Sequence, residues 1–227
     1  MWLSRLFKRR KSRKAKGPGR PGERTSTGSL IGQARPAGLI EMAALTGPDG
    51  VPVPVVIRRG RPEDAQVFAR WPEPTWFDWV GLALGRASGR DVKGHVDFGK
   101  ASSLMVVELL DPGGTARRIV GGVAVGMDRS GPVPVLEVRY LERLPGSPLK
   151  GIGKLLLVAS LYEASRLEAA LVLDALLKSG SDLFYRRCGM VESGQSAEPA
   201  LTRRMAFPDP GRATRFIEAC RAEGLLP

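Results

Sequence analysis

Leu149-Lys150-Gly151-Ile152-Gly153-Lys154-Leu155-Leu156-Leu157 places two glycines at the head of an apolar helical run, directly after a Pro-rich turn. Such a turn lets backbone N–H groups crowd around an anion, and the dipole of the following helix favours negative charge there. Lys150 and Lys154 add cationic side chains beside Gly151, Ile152 and Gly153. The expected occupant is therefore a phosphate-bearing ligand held by residues 150–154. A P-loop does not fit, because the lysines lack the GxxxxGK[ST] frame. A Rossmann dinucleotide site is the stronger rival, since a strand precedes the loop and Asp174 ends the next one. Against it, the third glycine position is Leu156, the strand-to-glycine turn is long, and hairpin-like strands precede the loop. For an isolated Gly-x-Gly, an ordinary helix start is the favoured reading.

The loop is not isolated. Asp182-Leu183-Phe184-Tyr185-Arg186-Arg187-Cys188-Gly189-Met190 follows, with Tyr185 lying 32 residues beyond Gly153. The two segments, in this order and at this separation, resemble the signatures of the GNAT superfamily of N-acetyltransferases. That family's diphosphate motif runs Gln/Arg-x-x-Gly-x-Gly/Ala, and Pro148 to Gly153 stands in its frame. Its second signature is an aromatic-Tyr pair, three residues, then Gly-aromatic, matched by Phe184-Tyr185 and Gly189-Met190. Pro148 replaces the usual Gln/Arg, Met190 the usual Phe, and Lys178 stands where many relatives carry Asn. Lys150 can supply the cation that Pro148 lacks. The resemblance covers roughly residues 53–207.

The resemblance implies an α/β (α+β) fold with a mixed, mostly antiparallel sheet flanked by helices. It also implies acetyl-CoA as co-substrate, no metal, and direct attack of an amine on the thioester. A backbone N–H of the fourth strand would polarise the carbonyl, and Tyr185 would protonate the leaving thiolate. A phenol with a pKa near about 10 is matched to that task. The base is sought among strand carboxylates. Glu137, 14 residues before Gly151, is placed first on the spacing of the histone-acetyltransferase branch, and Glu142, nine before it, second. Strand periodicity puts the two on opposite faces unless a bulge intervenes. An ion pair with Arg139 or Arg143 is the plain structural reading of either. A non-catalytic coenzyme A-binding module that scaffolds a partner is the alternative function.

Outward from the loop, strands are expected at Val53–Ile57, Leu104–Leu110, Arg118–Met127, Val133–Leu144, Ala170–Leu176 and Leu201–Phe207, the globular pattern beginning near residue 52. Helices are expected in two short pieces between Pro62 and Leu82, then at Gly151–Ala170, Asp182–Cys188 and Ala213–Glu223, with a turn over 111–115. This divides the chain into a tail (1–37), a GNAT-like acyltransferase domain (38–210) and a C-terminal helix (211–227). The aromatics Trp71, Trp76, Phe77 and Trp79 recur at helical spacing and read as core.

Charge sits at one end. Residues 1–24 carry ten Lys and Arg against Glu23 alone, a net +9 of the chain's +12. Residues 8–37 are too polar and too rich in Gly and Pro to bury a core, so the tail reads as disordered. Trp2, Leu3, Leu6 and Phe7 ahead of this charge suit an anionic membrane surface; nucleic acid or an acidic protein would suit the charge alone. No apolar run approaches the roughly 18 residues of a membrane span, and no secretory apolar stretch opens the chain. With Cys188 and Cys220 as the only cysteines, no disulfide framework is built and a cytoplasmic location is expected. A solvated tail with no specific partner is the favoured reading, and a peripheral membrane contact is the option beside it. His95, the single histidine, all but excludes a histidine triad or zinc site and reads as a surface residue. The amine acceptor and the oligomeric state have no signature in these residues.

Overall fold

The computed structural model describes residues 39–72, 77–85, 103–110, 118–196 and 199–227. The tail, His95, Trp76 and the expected turn at 111–115 lie outside the described residues. Eight strands are described: β1 (Leu39–Thr46), β2 (Pro52–Arg59), β3 (Ser103–Leu109), β4 (Arg118–Asp128), β5 (Val135–Arg143), β6 (Ala170–Leu176), β7 (Val191–Glu192) and β8 (Thr202–Ala206). Five α-helices accompany them: α1 (Asp64–Phe68), α2 (Trp79–Ala83), α3 (Ile152–Arg166), α4 (Ser181–Arg187) and α5 (Pro210–Ala222). The strands form one mixed sheet in the order β1-β2-β3-β4-β5-β6-β8-β7. Only β5 and β6 run parallel among them, and α3 makes the crossover between the two. The expected mixed, mostly antiparallel sheet is thus present, and it lacks the run of parallel strands that a doubly wound dinucleotide fold requires.

Alternation of side chains builds two cores on the two faces of the sheet. On one face, Met105, Val107, Val123, Val125, Val138, Leu171 and Leu173 meet α3, whose Leu155, Leu156, Leu157, Val158 and Ala159 are wholly buried. Phe216, Ile217 and Cys220 of α5 join that same core. On the other face, Leu104, Val106, Ile119 and Ala124 pack with Phe68, Trp71, Phe77 and Trp79, which are core as expected. Gly122 makes room for this, since a Cβ there would lie 3.1 Å from the Trp79 ring.

Several elements depart from the sequence reading, the unexpected short strand β7 among them. β1 was not expected, and the globular pattern starts at Leu39 rather than near residue 52. α3 ends at Arg166 rather than Ala170, because Glu168 turns to φ 52° and Ala170 already belongs to β6. α5 starts at Pro210, three residues before the expected Ala213. The Asp209 carboxylate accepts the Arg212 N–H at 2.9 Å, and Pro210 at the first turn needs no donor partner.

Candidate active site

β5 and β6 pair over only four positions, from Val135/Ala170 to Val138/Leu173. Beyond Val138, β5 continues to Arg143 bonded to β4 alone, so the parallel strands part at that point. The parting coincides with a bulge: Ala124 pairs with Tyr140 and Val125 with Val138, which leaves Arg139 as the extra residue. The bulge settles the placement of the two glutamates. Glu137 pairs with Gly126 and Glu142 with Gly122, and these glycines share one face of β4. Both carboxylates therefore project from that one face, the face that also carries Trp79.

Their surroundings differ. Glu137 is largely covered, with one oxygen 2.8 Å from Arg139 and the other 3.5 Å from Arg204, which also approaches Asp174 at 3.8 Å. Glu142 accepts the Trp79 indole N–H at 2.7 Å.

The glycine loop forms the start of α3. Gly151 is the N-cap, in the left-handed region at φ 97°, and Leu155 is the first residue to bond back, to the Gly151 carbonyl at 3.0 Å. The N–H groups of Ile152, Gly153 and Lys154 precede that bond and so have no acceptor within the helix. Lys150 is fixed to β1 through both backbone groups: its N–H donates to Thr46 O at 2.9 Å, and its carbonyl accepts the Thr46 N–H at 3.1 Å. The two sequence segments meet here. Phe184 lies against Gly153, where a Cβ would stand 3.1 Å from the ring.

Next to Phe184, Tyr185 is 8% exposed, and burial drives its phenol pKa well above the ordinary value. Burial also pushes the Cys188 thiol up to about 12 and the Cys220 thiol to about 11. All three groups stay protonated at neutral pH. Among the described residues no group of three or more His, Cys, Asp or Glu side chains could hold a metal ion, and no helix is long and apolar enough to cross a membrane.

A cavity of about 410 Å³ opens at the loop, lined by Thr46, Lys150, Gly151, Lys154, Glu223 and Leu225. Two lysines and the head of a 15-residue helix give it the chemistry of a phosphate cradle. Thr46, Glu223 and Leu225 come from the two ends of the described chain, and nothing local in the sequence marks them for this place.

No protein-family model matches the chain, and no curated protein matches it in sequence. Solved structures do resemble it. RimJ from Mycobacterium smegmatis, in complex with CoA-disulfide, shares 17% identity at a TM-score of 0.50, covering 82% of this chain and 96% of that one. Naa50 from Arabidopsis thaliana, in complex with the bisubstrate analogue CoA-Ac-MVNAL, shares 16% at a TM-score of 0.43, covering 66% and 96%. Arabidopsis thaliana NAA60, in complex with acetyl-CoA, shares 12% at a TM-score of 0.45, covering 67% and 96%. With one parallel strand pair parting beside a glycine-capped helix, and a chain path shared with RimJ, this chain has the fold of the GNAT superfamily.

Proposed function

We propose that the chain transfers an acetyl group from acetyl-CoA to an amine by direct attack. The observation that supports this most is a coincidence of position. The cationic loop at the head of α3, the parting of β5 from β6, and Tyr185 on α4 belong to one contiguous region. The similar RimJ structure holds a coenzyme A disulfide, which agrees with this assignment.

Acetyl-CoA would supply the activated acyl thioester. Residues 151–154 bind its diphosphate through the α3 N–H groups, with Lys150 and Lys154 adding charge. The edge of β5 beyond Val138, unpaired on its β6 side, offers backbone groups along the line of the parting. Tyr185 is assigned the proton donor to the leaving sulfur on its place beside the loop. Burial keeps its proton on but raises its pKa above the value that matches a thiolate, so the match expected from an ordinary phenol is not met until bound ligand changes its surroundings. Glu137 is assigned the base on its spacing from Gly151. It shares its face of the sheet with Glu142, so a ranking of the two must come from rates.

The test is incubation of the purified protein with isotope-labelled acetyl-CoA and a cell extract. Label on amines together with release of coenzyme A thiol is the expected result, with Glu137→Gln slower than Glu142→Gln. Tight acetyl-CoA binding with no transfer to any amine would instead favour the non-catalytic binding module. The reverse ranking of the two variants would move the base to Glu142.

A further inference from the structure

α5 ends at Ala222, and the chain then turns back to the head of α3. Glu223 sets its two carboxylate oxygens 2.6 and 2.5 Å from Lys154 Nζ. Leu225, 4% exposed, presses on the loop so closely that a Cβ on Gly151 would lie 2.6 Å from its side chain. The Leu225 carbonyl accepts the Ala44 N–H at 3.0 Å, and Leu226 is buried beside it. The last residues are thus anchored by apolar packing and by the edge of β1.

Within the cavity stand two ammonium groups and one carboxylate, and that carboxylate takes up one of the ammonium groups. Glu223 is the C-cap of α5, the end where the helix dipole disfavours negative charge. Its position is unfavourable for α5 and favourable only toward Lys154 and the positive end of α3. A carboxylate there lies where a ligand's phosphate would find the same partners.

We propose that Glu223 is an internal counter-ion of the loop, which a phosphate-bearing ligand must displace from Lys154 in order to bind. This rests on the reading of residues 150–154 as the coenzyme's diphosphate site. Lys154 and Glu223 are 33% and 47% exposed, so their pairing is weak enough to open under competition. The contact lowers the loop's affinity for anions.

Calorimetric titration of the full chain with inorganic pyrophosphate, and separately with acetyl-CoA, tests the proposal at low salt. Glu223→Gln, on an exposed side chain, should bind pyrophosphate about threefold more tightly than the parent, a gain that shrinks as salt rises. In a Lys154→Met background the same change should gain little, because the contested partner is gone. Thermal melts of each variant show that the fold is kept. Unchanged or weaker pyrophosphate binding in Glu223→Gln, or an equal gain without Lys154, overturns the counter-ion. A pyrophosphate gain in proteins that take no acetyl-CoA would keep the counter-ion and remove the acyltransferase reading.

Discussion

Tyr185 is packed edge-on to Phe184, with ring centroids 5.0 Å apart, and Phe184 in turn rests on Gly153. The phenol proposed as donor is therefore held by the same contact that joins α4 to the glycine loop. Its pKa, raised by burial, keeps the phenol protonated at neutral pH. Replacement by Phe keeps the ring and removes only the proton. Turnover should fall on the order of 10²-fold or more, with acetyl-CoA affinity little changed. Single-turnover kinetics measure this directly, and an unaltered chemical step would make Tyr185 a packing residue. At the same scale, Gly151 answers two demands at once. Its φ of 97° strains any residue with a Cβ, and a Cβ there would also push the Leu225 side chain aside.

The elements α4 and α5 bring buried thiols to the core, Cys188 at 5% and Cys220 at 1% exposure. Desolvation raises both pKa values above the ordinary 9.0, to about 12 and about 11. Above pH 9 the unfolded chain has therefore lost protons that the fold retains, so stability falls as pH rises. The loss runs to about pH 11 for Cys220 and about pH 12 for Cys188, at up to about 1.4 kcal/mol per pH unit for each thiol. Below pH 9 this contribution is fully present. Urea midpoints at pH 8 and pH 10.5 measure it, and Cys220→Ala should lessen the fall between the two. An identical fall in the variant would mean that the Cys220 thiol does not govern alkaline stability.

At this scale the sequence was also most uneven as a guide. α3 was legible because Leu155 to Ala159 form an apolar run behind a glycine start, and β3, β4, β5 and β6 because their apolar residues cluster between turn signals. β1 was not, since Leu39-Ile40-Glu41-Met42-Ala43-Ala44-Leu45-Thr46 is rich in helix formers and is held extended by β2. The bulge at Arg139 left no mark in composition. Without it, Glu137 and Glu142 fall on opposite faces; with it, they share one.

For the whole molecule, the glycine loop and the Phe184-Tyr185 segment were readable because each is a local pattern. The rest of the cavity was not, because Thr46 and Glu223 reach it only through the pairing of β1 at the sheet's edge and the return of the chain after α5. Sheet order matters more than the glycines themselves. A doubly wound dinucleotide site needs a run of parallel strands, whereas here a single parallel pair opens beside the loop. The claim that this opening receives acetyl-CoA is tested most directly by thermal unfolding with each ligand in turn. Acetyl-CoA at about 100 times its dissociation constant should add about 2.7 kcal/mol of stability, while NADH at the same concentration adds none. Stabilisation by NADH with no response to acetyl-CoA would contradict the account.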